Sequence, residues 1–195
     1  MSFSSLCIFC GSNPGKKATY AEGARALGTL MAERNIKLVY GGGKIGLMGI
    51  IADTLLEKDG EVIGVIPDFL MKKEVGHKDI QEMHVVKTMH ERKYLMSEIA
   101  DGFIAMPGGF GTLDELAEIL TWAQLGLHQK PIGVLNIDGY FDGLLSFVDT
   151  MVKEGYLVEK NSQMILVDDD PEKLLEKMAN YTFPDVEKWL NKDQL

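Results

Sequence analysis

Three times in this chain a short apolar run stops at a turn containing one or more glycines and gives way to a stretch with helical spacing. Residues 6–9 run into Cys10-Gly11-Ser12, residues 37–40 into Gly41-Gly42-Gly43, and residues 102–106 into Pro107-Gly108-Gly109-Phe110-Gly111. Short apolar runs without polar alternation suit strands buried on both faces, and glycine lets the chain turn sharply from strand into helix. The rhythm continues along the chain. Residues 20–35 read as a helix with Ala24, Leu27, Leu30 and Met31 on one side, residues 47–59 as a second helix, and residues 61–66 as a strand stopped by Pro67. The charged segment 68–79 reads as a loop, 83–86 as a short strand, and Thr88 as the cap of a helix reaching about residue 99. Thr112 opens a helix to about residue 125, and runs at 132–135, 144–153, 164–167 and 171–178 complete the alternation. Such alternation predicts an α/β fold: a doubly wound, mainly parallel sheet with helices on both faces, Rossmann-like, in a single domain over residues 1–181. The tail 182–195, polar apart from Trp189 and Leu190, reads as either a docked terminal helix or a frayed end.

Charge narrows the partners. Twenty basic against twenty-nine acidic side chains leave a net charge of −9, which disfavours nucleic acid and anionic membrane surfaces. Any phosphate must therefore be gripped by a local site. Two cysteines make no disulfide framework, no apolar run is long enough to span a membrane, and the first residues lack the basic region of a secretory signal. The expectation is a soluble cytoplasmic protein. The four histidines show no metal-ligand spacing with one another or with the cysteines, so no metal is expected.

In a doubly wound sheet, ligands bind beyond the carboxyl ends of the strands. The turns at 10–13, 41–46, 67–76, 88–93 and 107–112 are expected to gather there. Gly41-Gly42-Gly43-Lys44-Ile45-Gly46 contains Gly-x-Gly-x-x-Gly, which lets backbone N–H groups approach a phosphate or simply lets strand and helix pack closely. It follows the second strand, not the first, and Lys44 is followed by Ile45, so it is no P-loop. The glycines at 108, 109 and 111 open a helix and make an anion site by geometry, while Thr112 and Glu115 spell a capping box that gives Glu115 a structural explanation. Thr88 and Glu91 spell another. Arg92 and Lys93 then fall near that helix's start, where its dipole disfavours cations; they are either a grip on an anion or solvated surface charges. Cys7 and Cys10 read as buried strand thiols, and Met31, Met48 and Met96 as core filler on their spacing alone.

Together these motifs resemble the Lonely Guy family, the cytokinin riboside 5′-monophosphate phosphoribohydrolases. Residues 107–115 match its signature PGGxGTxxE, Arg92-Lys93 its arginine–lysine pair, and Tyr40-Gly41-Gly42-Gly43 with Gly46-Leu47-Met48-Gly49 a second block. Cys10-Gly11-Ser12, residues 121–126 and residues 135–140 extend the resemblance over about residues 4 to 180. What it implies is hydrolysis of the N-glycosidic bond of a purine nucleoside 5′-monophosphate, either an N6-prenylated adenosine monophosphate or AMP, giving free base and ribose 5-phosphate. Glu115 and Arg92 would be catalytic. Ser12, Gly42, Gly43, Met48, Lys93, Gly108, Gly109, Phe110, Gly111 and Thr112 would hold the substrate, Glu74 would meet the base or ribose, and Thr121 would line the same site. No metal or redox cofactor is implied, and members are usually homodimers. The older name for such sequences, lysine decarboxylase, finds no support, because no lysine stands in a setting typical of a Schiff base. Two rivals differ in class: a non-catalytic nucleotide carrier or sensor on the same fold, and an oxidoreductase resting on Gly41-x-Gly43-x-x-Gly46 alone.

Overall fold

Strands β1 (Ser5–Phe9), β2 (Lys37–Tyr40), β3 (Val62–Pro67), β4 (Glu82–Val86), β5 (Phe103–Ala105), β6 (Ile132–Leu135) and β7 (Ile165–Asp168) build one sheet in the order β4-β3-β2-β1-β5-β6-β7. This is seen in a computed structural model that describes residues 3–71 and 76–184. Every pairing is parallel. The helices are α1 (Ala18–Glu33), α2 (Gly46–Leu56), α3 (Asp68–Met71), α4 (Met89–Ile99), α5 (Phe110–Gln124), α6 (Asp142–Lys153), α7 (Glu159–Ser162) and α8 (Pro171–Ala179).

Apart from Ser5 and Lys37 at their starts, the central strands β1, β2 and β5 are apolar because both faces are covered. Leu6, Ile8, Leu38, Tyr40 and Ile104 face a core completed by α1, α2 and α8. Cys7, Phe9, Val39, Phe103 and Ala105 face the opposite core, with Met96 of α4 and Leu116 and Ile119 of α5. Alternate residues of one strand thus enter different cores, as the two-residue period of a strand demands. Cys7 and Cys10 are both free and buried, on opposite faces, so their spacing makes no redox pair.

Strand order reverses at β1. The chain moves outward through β2, β3 and β4, then returns to lay β5 against the other edge of β1. A crevice opens outside the carboxyl ends at such a switch point, and here the turns after β1 and β5 are its two lips. Gly11 N–H donates to the Pro107 carbonyl (3.0 Å), fastening one lip to the other.

The structure departs from the sequence expectation at three places. The segment read as a loop from residue 68 opens with the short helix α3, which carries Leu70 toward the crevice. Helix α5 begins at Phe110, two residues before Thr112, because extended Gly109 serves as its N-cap without any side-chain bond. Short α7 has no counterpart in the sequence pattern. The expected terminal helix or frayed tail lies, from residue 185 on, outside the described residues. Among the described residues no helix is long and apolar enough to cross a membrane.

Candidate active site

A cleft of about 280 Å³ occupies the crevice. Cys10, Gly11 and Ser12 come from the turn after β1, and Gly41 and Met48 from the turn after β2 and the start of α2. Leu70 of α3 and Met89 and Arg92 of α4 form another wall, and the first turns of α5, including Gly109, Phe110, Gly111, Thr112 and Glu115, close the last. A second cavity of about 240 Å³ shares Gly11, Ser12 and Gly109 with the first.

Glu115 and Arg92 meet inside this cleft. Their side chains are both about nine-tenths buried, with Arg92 Nη2 3.6 Å from Glu115 Oε1. Burial raises the Glu115 pKa to about 7, the nearby Arg92 charge offsetting only part of that rise. The capping-box explanation of Glu115 fails: with α5 starting at Phe110, Thr112 lies inside the first turn and is buried. Its hydroxyl instead packs on Gly108, where an added Cβ would collide with Oγ1. A buried carboxylate with no capping duty, beside a guanidinium in a cleft, is an arrangement suited to proton or charge chemistry.

Arg92 holds its place because Gly41 lacks a side chain; a Cβ there would overlap Nη2. The Arg92 Nε–H has no hydrogen-bond partner among the described residues. Helix α4 is fixed at its start by Thr88, whose hydroxyl accepts the Glu91 N–H at 3.1 Å, while the Glu91 carboxylate takes the Lys87 N–H at 2.8 Å. So the helix begins where its capping box predicts, and its rule-breaking Arg92 and Lys93 are not solvated surface charges: each residue is 9% exposed. Their roles diverge. Lys93 Nζ lies 3.1 Å from both Asp114 and Glu118, its charge balanced within the α4–α5 seam and outside the cleft lining.

The start of α5 presents N–H groups that have no acceptor inside the helix. A Cβ added at Gly109 or Gly111 would meet nothing within 4 Å. Glycine at these positions therefore leaves the backbone open to approach from the cleft, the geometry that receives a phosphate. Gly42 and Gly43 face elsewhere. The Gly42 carbonyl accepts the His77 N–H (3.0 Å), and Gly43 pairs with Gly76 in an isolated bridge. His77 Nε2 stands 2.9 Å from Asp53 Oδ1, and Lys44 Nζ lies 2.8 Å from Asp79, so segment 76–79 covers that turn. The third glycine of the pattern, Gly46, has φ +67 and packs on the backbone of Ser12 and Asn13. These contacts give Gly-x-Gly-x-x-Gly a structural cause.

Of the remaining candidates, Gly108 lines the second cavity and not the first, and Thr121 is exposed with its hydroxyl donating to the Ala117 carbonyl of its own helix (2.8 Å). Glu74 lies outside the described residues. Sequence reasoning passed over Gly41, Leu70 and Met89 as lining residues; Met89 stands three positions before Arg92, a spacing that shares a helix face. Among the described residues no group of three or more His, Cys, Asp or Glu is placed to hold a metal ion.

Known proteins share both this sequence and this fold. A family model with the description "Possible lysine decarboxylase" matches residues 48–178. The cytokinin riboside 5′-monophosphate phosphoribohydrolase LOG4 of Arabidopsis thaliana is 47% identical over 180 residues, covering 92% of this chain and 84% of that protein. Its rice counterpart LOG, from Oryza sativa subsp. japonica, is 48% identical over 92% of this chain and 74% of its own length. Among solved structures, the molybdenum cofactor binding protein of Rippkaea orientalis aligns with a TM-score of 0.68 at 23% identity, covering 92% of this chain and 97% of that one. The molybdenum cofactor carrier protein of Chlamydomonas reinhardtii gives 0.68 at 17%, covering 91% and 98%. At these identities the structural likeness is one of fold.

The raised Glu115 pKa has a thermodynamic consequence. The folded protein holds this proton more tightly than the unfolded chain, so the state is least penalised below about pH 4.5 and loses stability as pH rises through about 7. Urea unfolding at pH 5 and pH 8 is expected to show wild type losing on the order of 2–3 kcal/mol more than Glu115→Gln over that interval. Equal losses in the two proteins would contradict the burial of an ionising carboxyl at this position.

Proposed function

The chain belongs to the family described as possible lysine decarboxylases, whose named plant members are cytokinin riboside 5′-monophosphate phosphoribohydrolases, and from that premise we propose that it hydrolyses the N-glycosidic bond of purine nucleoside 5′-monophosphates. The substrates are N6-substituted adenosine monophosphates of the cytokinin type and AMP, and the products are free base and ribose 5-phosphate. The observation that carries this is the buried Arg92–Glu115 pair in a cleft that also contains the open backbone at the start of α5.

Cleavage of the ribose–base bond leaves positive charge on C1′ and the ring oxygen while the base departs with the bonding pair. An ionised Glu115 stabilises that charge and orients the attacking water, whose released proton balances the one the base takes up. Arg92 keeps the buried carboxylate ionisable and retains donors for substrate. The 5′-phosphate is received by Ser12 and the N–H groups from Gly109 to Thr112, at the positive end of the α5 dipole. Met48, Leu70 and Met89 give the cleft its apolar surface.

Two settings complete the proposal. The protein works as a homodimer, supported by the start of α5, where Phe110 is 92% exposed at the rim of the cleft and Leu113 is exposed beside it. It works in the cytoplasm, supported by its two free buried thiols.

Incubation with AMP, and separately with isopentenyladenosine monophosphate, is expected to release base and ribose 5-phosphate, resolved by chromatography. Glu115→Gln should lower turnover by about a hundredfold or more. Binding of both nucleotides without release of base would favour the non-catalytic carrier instead. Light scattering of the eluting protein is expected to give twice the chain mass of 21.6 kDa; a monomer would defeat the dimer.

A further inference from the structure

The block 135–140, which the sequence marks but the chemistry above does not use, ends in Tyr140. Its hydroxyl donates to the carbonyl of Gly108, the residue just before the α5 N-cap. The ring is wedged edge-on against Tyr20 (centroids 5.6 Å apart) and against buried Phe141 (5.0 Å). The turn that carries it is itself braced. The Asn136 side chain accepts the Phe141 N–H and donates to Asp142, both at 2.7 Å. Asp138, in the left-handed region at φ +54, accepts the Thr19 hydroxyl at 2.8 Å and pairs with Lys17. Tyr140 is therefore mounted on a rigid post between β6 and the start of α1.

A trans peptide points its C=O and its N–H in opposite directions. Fixing the Gly108 carbonyl toward Tyr140 consequently turns the Gly109 N–H away from it. Tyr140 lines the second cavity and not the first, whereas Gly109 lies on the wall common to both. We propose that Tyr140 is a positioning residue, aiming the Gly109 N–H into the main cleft and so setting the grip on the substrate's 5′-phosphate. The fastening matters because glycine has no side chain to resist rotation of that peptide. This rests on the proposed function only in placing the phosphate at the start of α5; it does not require turnover.

Tyr140→Phe keeps the ring packing and deletes the hydroxyl. Calorimetric titration with inorganic phosphate, AMP and adenosine is expected to show about tenfold weaker binding of phosphate and AMP, the loss of one hydrogen bond. Adenosine binding should be unchanged, and the thermal midpoint should move by less than about 5 °C. Phosphate affinity within about twofold of wild type, or an equal loss for adenosine, would overturn the proposal. In wild-type protein, phosphate should shift the Gly109 amide resonance, a readout independent of how well the variant folds; an unmoved amide would also overturn it. Wild type that binds AMP but frees no base would sink the hydrolase reading while leaving this one intact.

Discussion

A carboxylate taken out of water beside a single guanidinium is held at a cost, and much of the surrounding architecture exists to keep these two groups together. Glu115 and Arg92 sit on different helices, joined by a contact of 3.6 Å that alone is too long to lock their geometry. The lock is steric and electrostatic at the margins. Gly41 leaves room for the guanidinium, Thr88 pins the start of α4, and Lys93 ties α4 to α5 through Asp114 and Glu118. An isolated pair in this environment would gain little over its desolvation penalty. Its presence in a cleft therefore points to chemistry more than to stability.

The sheet decides where that chemistry stands. Because β5 returns to the side of β1, the turns after these two strands face each other across the crevice. One brings Ser12 and the other brings the start of α5, so the open glycine backbone and the buried carboxylate of Glu115 lie about one helical turn apart on the same element. In the proposed reaction a single helix, α5, would set both substrate position and cleavage.

Much of this was legible because it is local. Strands buried on both faces write themselves as uninterrupted apolar runs, and the glycine turns mark their carboxyl ends. The start of α4 followed from Thr88 and Glu91. The same pattern misled at Thr112 and Glu115, because Gly109 caps α5 with its backbone conformation alone and the helix begins early. The division of labour between Arg92 and Lys93 was hidden for another reason: the carboxylates that absorb Lys93 belong to α5, and Asp114 is 21 residues away in sequence. The glycines from 41 to 46 read as a phosphate loop, yet the residues that claim their backbone come from 76–79 and from the turn after β1. Such long-range partners leave no spacing in the sequence to read.

The central claim is that an ionised, buried Glu115 drives bond cleavage. Its most direct test is kcat/KM for AMP between about pH 5 and pH 9, corrected for ionisation of the substrate phosphate, since this ratio reports the free enzyme. The account predicts a tenfold rise per pH unit at the acid end that levels off above about 7, where Glu115 loses its proton. A flat profile, or one that falls as pH rises toward 7, would contradict it.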